Sequence, residues 1–167
     1  MPITADVPVI EDIAVVLFSR LQGLLVAGTY QTTASEIIRP LRLGGYTPKD
    51  WQVVLTQGET KINEELSFPG NPPATAFETR FDIRCHVMPS EGSSTALATL
   101  VNQIAADIRK VVCATGGNAW SSFGGNAIDA SWPPHEQIIS DGSFGGVNVP
   151  IEILYRTREG DPYTLRT

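Results

Sequence analysis

The sequence predicts an α+β fold, in which an antiparallel or mixed β-sheet carries two amphipathic α-helices on one face, together with an extra β-hairpin. Two segments have apolar residues at helical spacing, and several others alternate apolar and polar residues as half-buried strands do. The elements follow one another in the order helix, strands, helix, strands. Because the regular βαβα alternation of a doubly wound parallel sheet is absent, we expect antiparallel or mixed pairing.

The two helices are predicted over residues 9–27 and 95–113. In the first, apolar residues recur at i+3 and i+4, and Glu11 and Asp12 stand near the positive end of the helix dipole. Gly28 is suited to close the far end of this helix. Each segment has one apolar stripe and one polar side, which predicts that both helices lie against a sheet.

The longest predicted strand covers residues 76–88, where apolar residues such as Phe81 and Ile83 alternate with charged ones. At about 3.3 Å per residue this strand spans about 40 Å, which is longer than most strands in globular proteins. Further strands are predicted at 36–43, 51–57, 61–68, 126–131, 137–140 and 147–157.

The 167 residues are expected to form a single domain. Three parts are expected to lie outside its main layers: an N-terminal arm (1–8), a glycine-rich hairpin or loop insertion (116–146) and a C-terminal arm (159–167). The insertion contains two Ser-Phe-Gly-Gly turns, which begin at Ser122 and Ser143, and the C-terminal arm follows a turn signal that contains Gly160 and Pro162.

The composition narrows the classes of function. A formal net charge of −6 argues against a surface that binds nucleic acid, which requires clustered Lys and Arg, although it allows DNA to pass through a channel without sticking. No apolar run approaches the ~20 residues of a membrane span, and the acidic start of the chain is unlike a signal peptide. Cys85 and Cys113 share no motif, so two free thiols are expected rather than a disulfide.

The sequence carries no motif that catalysis or cofactor binding requires. The two histidines, His86 and His135, have no zinc-ligand spacing, and no glycine pair forms a phosphate-binding loop. Cys85 and His86 are neighbours on a predicted strand, so their side chains point to opposite faces and cannot form a nucleophile pair. We therefore expect no enzyme, no cofactor and no metal site, and His86 is expected to be a surface residue.

Four charges of alternating sign lie on one side of the longest predicted strand: Glu78, Arg80, Asp82 and Arg84. This set, here called the charged row, places successive side chains about 6–7 Å apart. If a helix covered the row, each buried charge would cost several kcal/mol unless it was paired. The row is therefore expected to face solvent or another subunit.

Two interpretations of this face remain open. In the first, the charged row is solvated and forms cross-strand ion pairs with Glu152, Arg156 and Arg158 of the last long strand. In the second, the face is a polar subunit interface or the wall of a water-filled pore. Beyond the final turn, Tyr163 and Leu165 offer two apolar anchors that can lie on a neighbouring subunit. The candidate interface therefore contains the charged row, Arg156, Arg158, Tyr163 and Leu165.

The order of elements resembles that of the tail terminator, or tail-completion (minor tail), proteins of long-tailed bacteriophages. The resemblance covers nearly the whole chain through loose motifs, and only the 116–146 segment is longer than the family plan. The matching features are the N-terminal amphipathic helix, YTPKD at 46–50 followed by WQVVLTQG at 51–58, FDIRCHV at 81–87, the helix at 96–112 and VPIEILYRTREGDPY at 149–163.

The resemblance implies a structural virion protein that forms a ring, usually a hexamer, at the head-proximal end of the tail tube. Such a ring stops tube growth and offers a docking surface to the head. The implied partners are further copies of the chain, the tail tube protein and a head-completion or connector protein, with DNA passing through the lumen and assembly in the host cytoplasm. Alternatives are another head–tail connector or neck protein and, in a different class, a small-molecule-binding α+β module.

Overall fold

The computed structural model describes residues 7–40, 46–69, 73–88, 94–114, 121–139 and 145–165. Within these ranges two α-helices and seven strands form a mixed α+β architecture, which confirms the predicted fold class. The helices are α1 (Val9–Leu21) and α2 (Ser94–Cys113), and the strands are β1 (Glu36–Ile38), β2 (Gln52–Phe68), β3 (Ala74–Val87), β4 (Asp129–Ser131), β5 (Glu136–Ile139), β6 (Gly145–Arg158) and β7 (Asp161–Leu165).

All seven strands belong to one sheet. Its centre is antiparallel, because β2 pairs with β3 and β3 pairs with β6. β1 lies parallel to β2 at one edge, which makes the sheet mixed. Along the far edge of β6 three short antiparallel strands follow one another: β5 pairs with residues 145–148, β4 with 152–154 and β7 with 157–158.

Both helices pack on the same face of the sheet, as the apolar stripes predict. Ile13 and Leu17 of α1 and Ile104 and Ile108 of α2 belong to one buried cluster with the inward-facing residues of β3 and β6. Phe81 of β3 is fully buried in this cluster. Burial of a side chain of this size contributes about 1.5–3 kcal/mol. The face of the sheet that carries Phe81 and both helices supplies most of the core. The opposite face, which carries the side chains of the charged row, is here called the polar face.

The first helix is shorter than predicted. α1 ends at Leu21, and residues 22–25 continue as a single 3₁₀ turn. Gly23 lies so close to α2 that a Cβ atom there would stand 2.7 Å from the Cγ2 atom of Val111. The helix predicted to extend to residue 27 therefore ends at Leu21, where the chain comes close to α2.

The predicted strands at 51–57 and 61–68 are one strand, β2, of 17 residues. Two register shifts interrupt its pairing with β3, between Gln57 and Thr60 and between Asn63 and Phe68. Irregularities of this kind insert extra residues into one strand and disturb the alternation of side chains. The sequence pattern therefore breaks where the strand itself continues.

The described part of the glycine-rich segment, residues 121–139 and 145–146, does not form a separate hairpin of its own. β4 and β5 pair with β6 and not with each other, and β5 forms a hairpin with β6 in which Ile139 is opposite Gly145. The turn at Ser122 leads into Phe123, which is fully buried with the guanidinium of Arg20 4.6 Å from its ring centroid. Ser143 lies outside the described residues.

The C-terminal arm also differs from expectation. The chain reverses at Glu159 and Gly160, where the glycine has a φ of 73°, and the following residues return along β6 as β7. Residues 161–165 therefore belong to the sheet of their own chain, and residues 166–167 of the predicted arm lie outside the described ranges. Of the predicted N-terminal arm, residues 1–6 lie outside the described ranges, and the carbonyl of Pro8 accepts a 2.8 Å hydrogen bond from the amide of Glu11 at the start of α1.

Candidate functional site

The charged row lies on the polar face of β3, as the alternation predicts. Glu78, Arg80, Asp82 and Arg84 are all half-buried, whereas the intervening Phe81 is fully buried on the helix side. The backbone of β3 thus fixes one charge at every second position in the middle of the sheet. This arrangement can bind a surface of complementary charge.

Arg80 and Asp82 form the central ion pair of the row. The Nη2 atom of Arg80 lies 2.9 Å from Oδ1 of Asp82, and its Nε atom donates a 3.0 Å hydrogen bond to the same oxygen. Asn148 of β6 donates a further hydrogen bond of 2.9 Å to this oxygen. The hydrogen bond to Asp82 raises the pKa of Arg80, so the guanidinium stays charged and pre-positioned.

Among the described residues, the charged side chains of β6 do not form the ion pairs with the charged row that the sequence predicts. Glu152 stands opposite Arg80 in the register and adds a weaker attraction, while the ion pair across strands is formed by Glu136 of β5 at 3.8 Å. Arg156 donates a 3.0 Å hydrogen bond from Nε to the carbonyl of Leu66, and its guanidinium lies 5.4 Å from the ring centroid of Phe68. Arg156 therefore ties β6 to the far end of β2 within one chain.

Besides Arg156, three charged residues of the candidate set have no ionic partner among the described residues. In the described parts of the chain, Glu78, Arg84 and Arg158 form no ion pair, and the side chain of Arg158 is exposed. Glu78 lines two adjoining cavities of about 160 and 120 Å³, which also share Glu152. These groups are available to a partner in a way that Arg80 and Asp82 are not.

His86 lies at one end of the polar face and is 5% exposed, so the prediction of a surface residue was wrong. Tyr46 covers it, with ring centroids 5.7 Å apart and 3.2 Å between the phenol oxygen and Nε2 of His86. Burial, and secondly the positive charge of Arg84, lower the pKa of His86. The imidazole, packed between β3 and the segment before β2, therefore takes up a proton less readily than an exposed histidine does.

Tyr163 and Leu165 lie on the edge strand β7 rather than on a separate arm. The Tyr163 side chain is 49% exposed, and its amide donates a 3.0 Å hydrogen bond to Oδ1 of Asp161. The backbone of Leu165 is opposite Thr157 of β6; its side chain lies outside the description. The structure thus brings the charged row, Arg156 and Arg158 onto one sheet and places Tyr163 at the edge beside them.

Sequence reasoning missed exposed apolar side chains on the β2–β3 hairpin. Ile62, Leu66 and Phe68 are 62%, 37% and 37% exposed, and Ile62 is opposite Phe77 whereas Phe68 is opposite Ala74. The first five residues of β2 are buried, but from Gln57 onward nearly all its side chains are exposed. The apolar residues within the predicted strand 61–68 could have indicated these exposed side chains, because a hairpin that only faces solvent is expected to be polar.

The thiols are unsuited to nucleophilic chemistry. Both cysteines are free thiols, of which Cys85 is buried and Cys113 is only half-buried. Burial, with a smaller contribution from Asp50, raises the pKa of Cys85 to about 12, and burial also raises the pKa of Cys113. Across the described ranges, no group of three or more His, Cys, Asp and Glu side chains is placed to hold a metal ion.

No helix in the described part of the chain is long and apolar enough to cross a membrane. No protein-family model matches the sequence, and a search of curated proteins found no significantly similar sequence.

Proposed function

We propose that the chain is a structural virion subunit of the tail terminator type, which assembles into a ring, usually a hexamer in this family, at the head-proximal end of a phage tail tube. The ring ends tube polymerisation and presents a docking surface to a head-completion or connector protein. The resemblance of the sequence to tail terminator proteins supports the proposal.

One structural observation carries the proposal. Both helices lie on one side of the sheet, so none of the described residues forms a helical layer over the polar face, which has the charged row at its centre. The ion pair of Arg80 and Asp82 is satisfied within the chain, whereas Glu78 and Arg84 on either side form no ion pair among the described residues. A face with one fixed charge of each sign left open is suited to a polar contact with another subunit.

The overall charge fits a ring through which DNA passes. A net charge of −6 repels the phosphate backbone, so DNA can move through a lumen without being retained. Ring closure requires heterologous contacts, in which one patch of a subunit meets a different patch of the next. The charged row on the sheet and the exposed strands at its edges are different patches of this kind.

The oligomeric state tests the proposal. Size-exclusion chromatography with light scattering is expected to show a closed oligomer of fixed mass, and negative-stain electron microscopy is expected to show rings. A chain that stays monomeric at every concentration, and is instead stabilised by a metabolite in a thermal-shift screen, would contradict the assembly role and support a small-molecule-binding module.

A further inference from the structure

The charged row is complementary to its own reverse. From Glu78 to Arg84 the signs run minus, plus, minus, plus, and the middle of the row lies at Phe81. If a second copy of the row is turned end to end over the first, position 78 meets position 84 and position 80 meets position 82. Every negative charge then lies opposite a positive one.

The two outer members of the row are the ones that the chain leaves without an ionic partner. Asp82 binds Arg80 and Asn148 of its own chain, and its side chain is only 14% exposed, so the middle of the row is already satisfied. Glu78 and Arg84 form no ion pair among the described residues. They lie about 20 Å apart along β3, one at each end of the row. A reciprocal contact between two copies requires one open charge of each sign in this arrangement.

Glu78 lies beside a cleft that can admit a guanidinium. It lines two adjoining cavities of about 160 and 120 Å³ together with Glu152, and Asp129 lines the larger one. None of these three carboxylates forms an ion pair within the part of the chain that the structure describes. An arginine binds carboxylates through its planar fork of donors, so Arg84 of another copy is suited to this cleft.

The packing of sheets allows this contact, and the charges select its orientation. Two sheets stack face to face about 10 Å apart with their strands within about 30° of each other, and an arginine and a glutamate side chain together span such a gap. If β3 of both copies ran in the same direction, Glu78 would meet Glu78 and Arg84 would meet Arg84. Reversal of the second copy replaces both repulsions by attractions.

One approach of like charges accompanies the reversed orientation. Asp129 is level with Glu78 across the sheet and Glu136 is level with Arg84, so Asp129 of one copy comes toward Glu136 of the other. Both carboxylates are exposed at the edge of the sheet, where solvent screens their repulsion. Arg84 also enters the cleft that Asp129 lines, which offsets this repulsion further.

We infer that the polar face pairs with the polar face of a second copy about a two-fold axis over the middle of β3, with Glu78 of each copy bound to Arg84 of the other. The contact is isologous and therefore closes after two copies. It goes beyond the proposed function, because it joins two single subunits, or two rings face to face, and leaves the closure of a ring to other surfaces.

Exchange of the two charges tests the contact. The full-length variants are Glu78→Arg, Arg84→Glu and the double variant with both substitutions. Each single variant sets like charges opposite each other at both ends of the contact. It is expected to raise the dissociation constant at least tenfold, so that the light-scattering mass falls toward half of the parent value. The double variant restores opposite charges and is expected to associate like the parent chain.

Two further samples make the test specific. In an equimolar mixture of Glu78→Arg and Arg84→Glu, every arginine of one variant meets a glutamate of the other, so the mixture is expected to associate although neither variant does so alone. The control Asp12→Arg makes the same change of charge as Glu78→Arg at an exposed position of α1, on the other side of the sheet. It is expected to associate like the parent, and the midpoint of thermal unfolding verifies that each variant is folded.

The results separate the inference from the proposed function. Single variants that associate like the parent, or a double variant and a mixture as weakly associated as the single variants, would overturn the two-fold contact. If electron microscopy shows rings in such samples, the ring proposal stands without it. If the parent chain instead forms only dimers that respond to the exchange as expected, the contact stands and the ring proposal is wrong.

Discussion

Asp107 of α2 accepts two hydrogen bonds from Thr32, one of 2.8 Å from its backbone amide and one of 2.7 Å from its hydroxyl. Both residues are buried, at 4% and 8% exposure. The carboxylate therefore fastens the segment between α1 and β1 to the middle of α2. A buried carboxylate that loses a donor retains the cost of its desolvation, so this contact is expected to matter for stability.

Replacement of Thr32 by Ala is expected to lower the free energy of unfolding by about 1–3 kcal/mol, because the Asp107 carboxylate loses the hydroxyl donor while it remains buried. Urea unfolding followed by circular dichroism measures the change. Thr33→Ala serves as the control, since Thr33 is exposed and is expected to change stability by less than about 0.5 kcal/mol. Equal effects of the two substitutions would show that the hydrogen bonds contribute little.

Gly146 marks a point where β6 passes very close to β3. A Cβ atom at this position would lie 2.1 Å from the backbone oxygen of Cys85. Gly146→Ala therefore forces the two central strands apart and is expected to cost several kcal/mol, at the upper end of single-substitution effects. Thermal unfolding checks this, with Gly58→Ala as a milder control, because a Cβ atom there would stand 3.3 Å from the oxygen of Arg80.

His86 gives the protein an acid-sensitive component of stability. Burial, followed by the charge of Arg84, lowers its folded-state pKa below the ordinary 6.5. As the pH falls below 6.5, the unfolded chain takes up a proton before the folded chain does, so stability contributed by neutral His86 is full above pH 6.5 and declines as the pH falls toward the folded pKa. NMR titration of the imidazole, assigned with the His135→Gln variant, is expected to show the pKa of His86 rising in Arg84→Gln. An unchanged pKa would remove Arg84 as a cause.

The sequence predicted those parts of the fold that depend on local periodicity. Alternation along β3 correctly separated Phe81 on the core side from Arg80 and Asp82 on the polar face. It could not predict the end of α1, because the close approach of Gly23 to Val111 brings together residues far apart in the chain. Nor could it join the two halves of β2, since the register shifts interrupt the pattern that identifies a strand.

The candidate site was predicted in part for the same reason. Membership of the charged row follows from strand alternation, but the burial of His86 depends on Tyr46, which is 40 positions away in sequence. The exposure of Ile62 depends on how far the helical layer extends over the sheet, and the pairing of β7 with β6 depends on the reversal at Gly160. Such tertiary features carry little signal in a short stretch of sequence.

The charged row also allows a prediction that separates folding from assembly. Arg84 forms no ion pair among the described residues, so Arg84→Glu is expected to leave the midpoint of unfolding almost unchanged and to shift the light-scattering mass toward the monomer. Arg80→Glu is the matched comparison. It removes the ion pair with Asp82 and is expected to cost about 1 kcal/mol of stability, a value reduced by solvent screening of the partly exposed guanidinium.

The two interpretations of the polar face, a subunit interface or a solvated surface, therefore predict different results for these two variants. If the polar face is a subunit interface, Arg84→Glu impairs assembly without impairing folding, because a reversed charge in a polar contact is repelled by the partner that the arginine attracts. If the face is only solvated, Arg84→Glu assembles like the parent chain and Arg80→Glu changes unfolding alone. Light scattering and thermal unfolding on the same samples distinguish these outcomes, and unimpaired assembly of Arg84→Glu would remove the charged row from the interface.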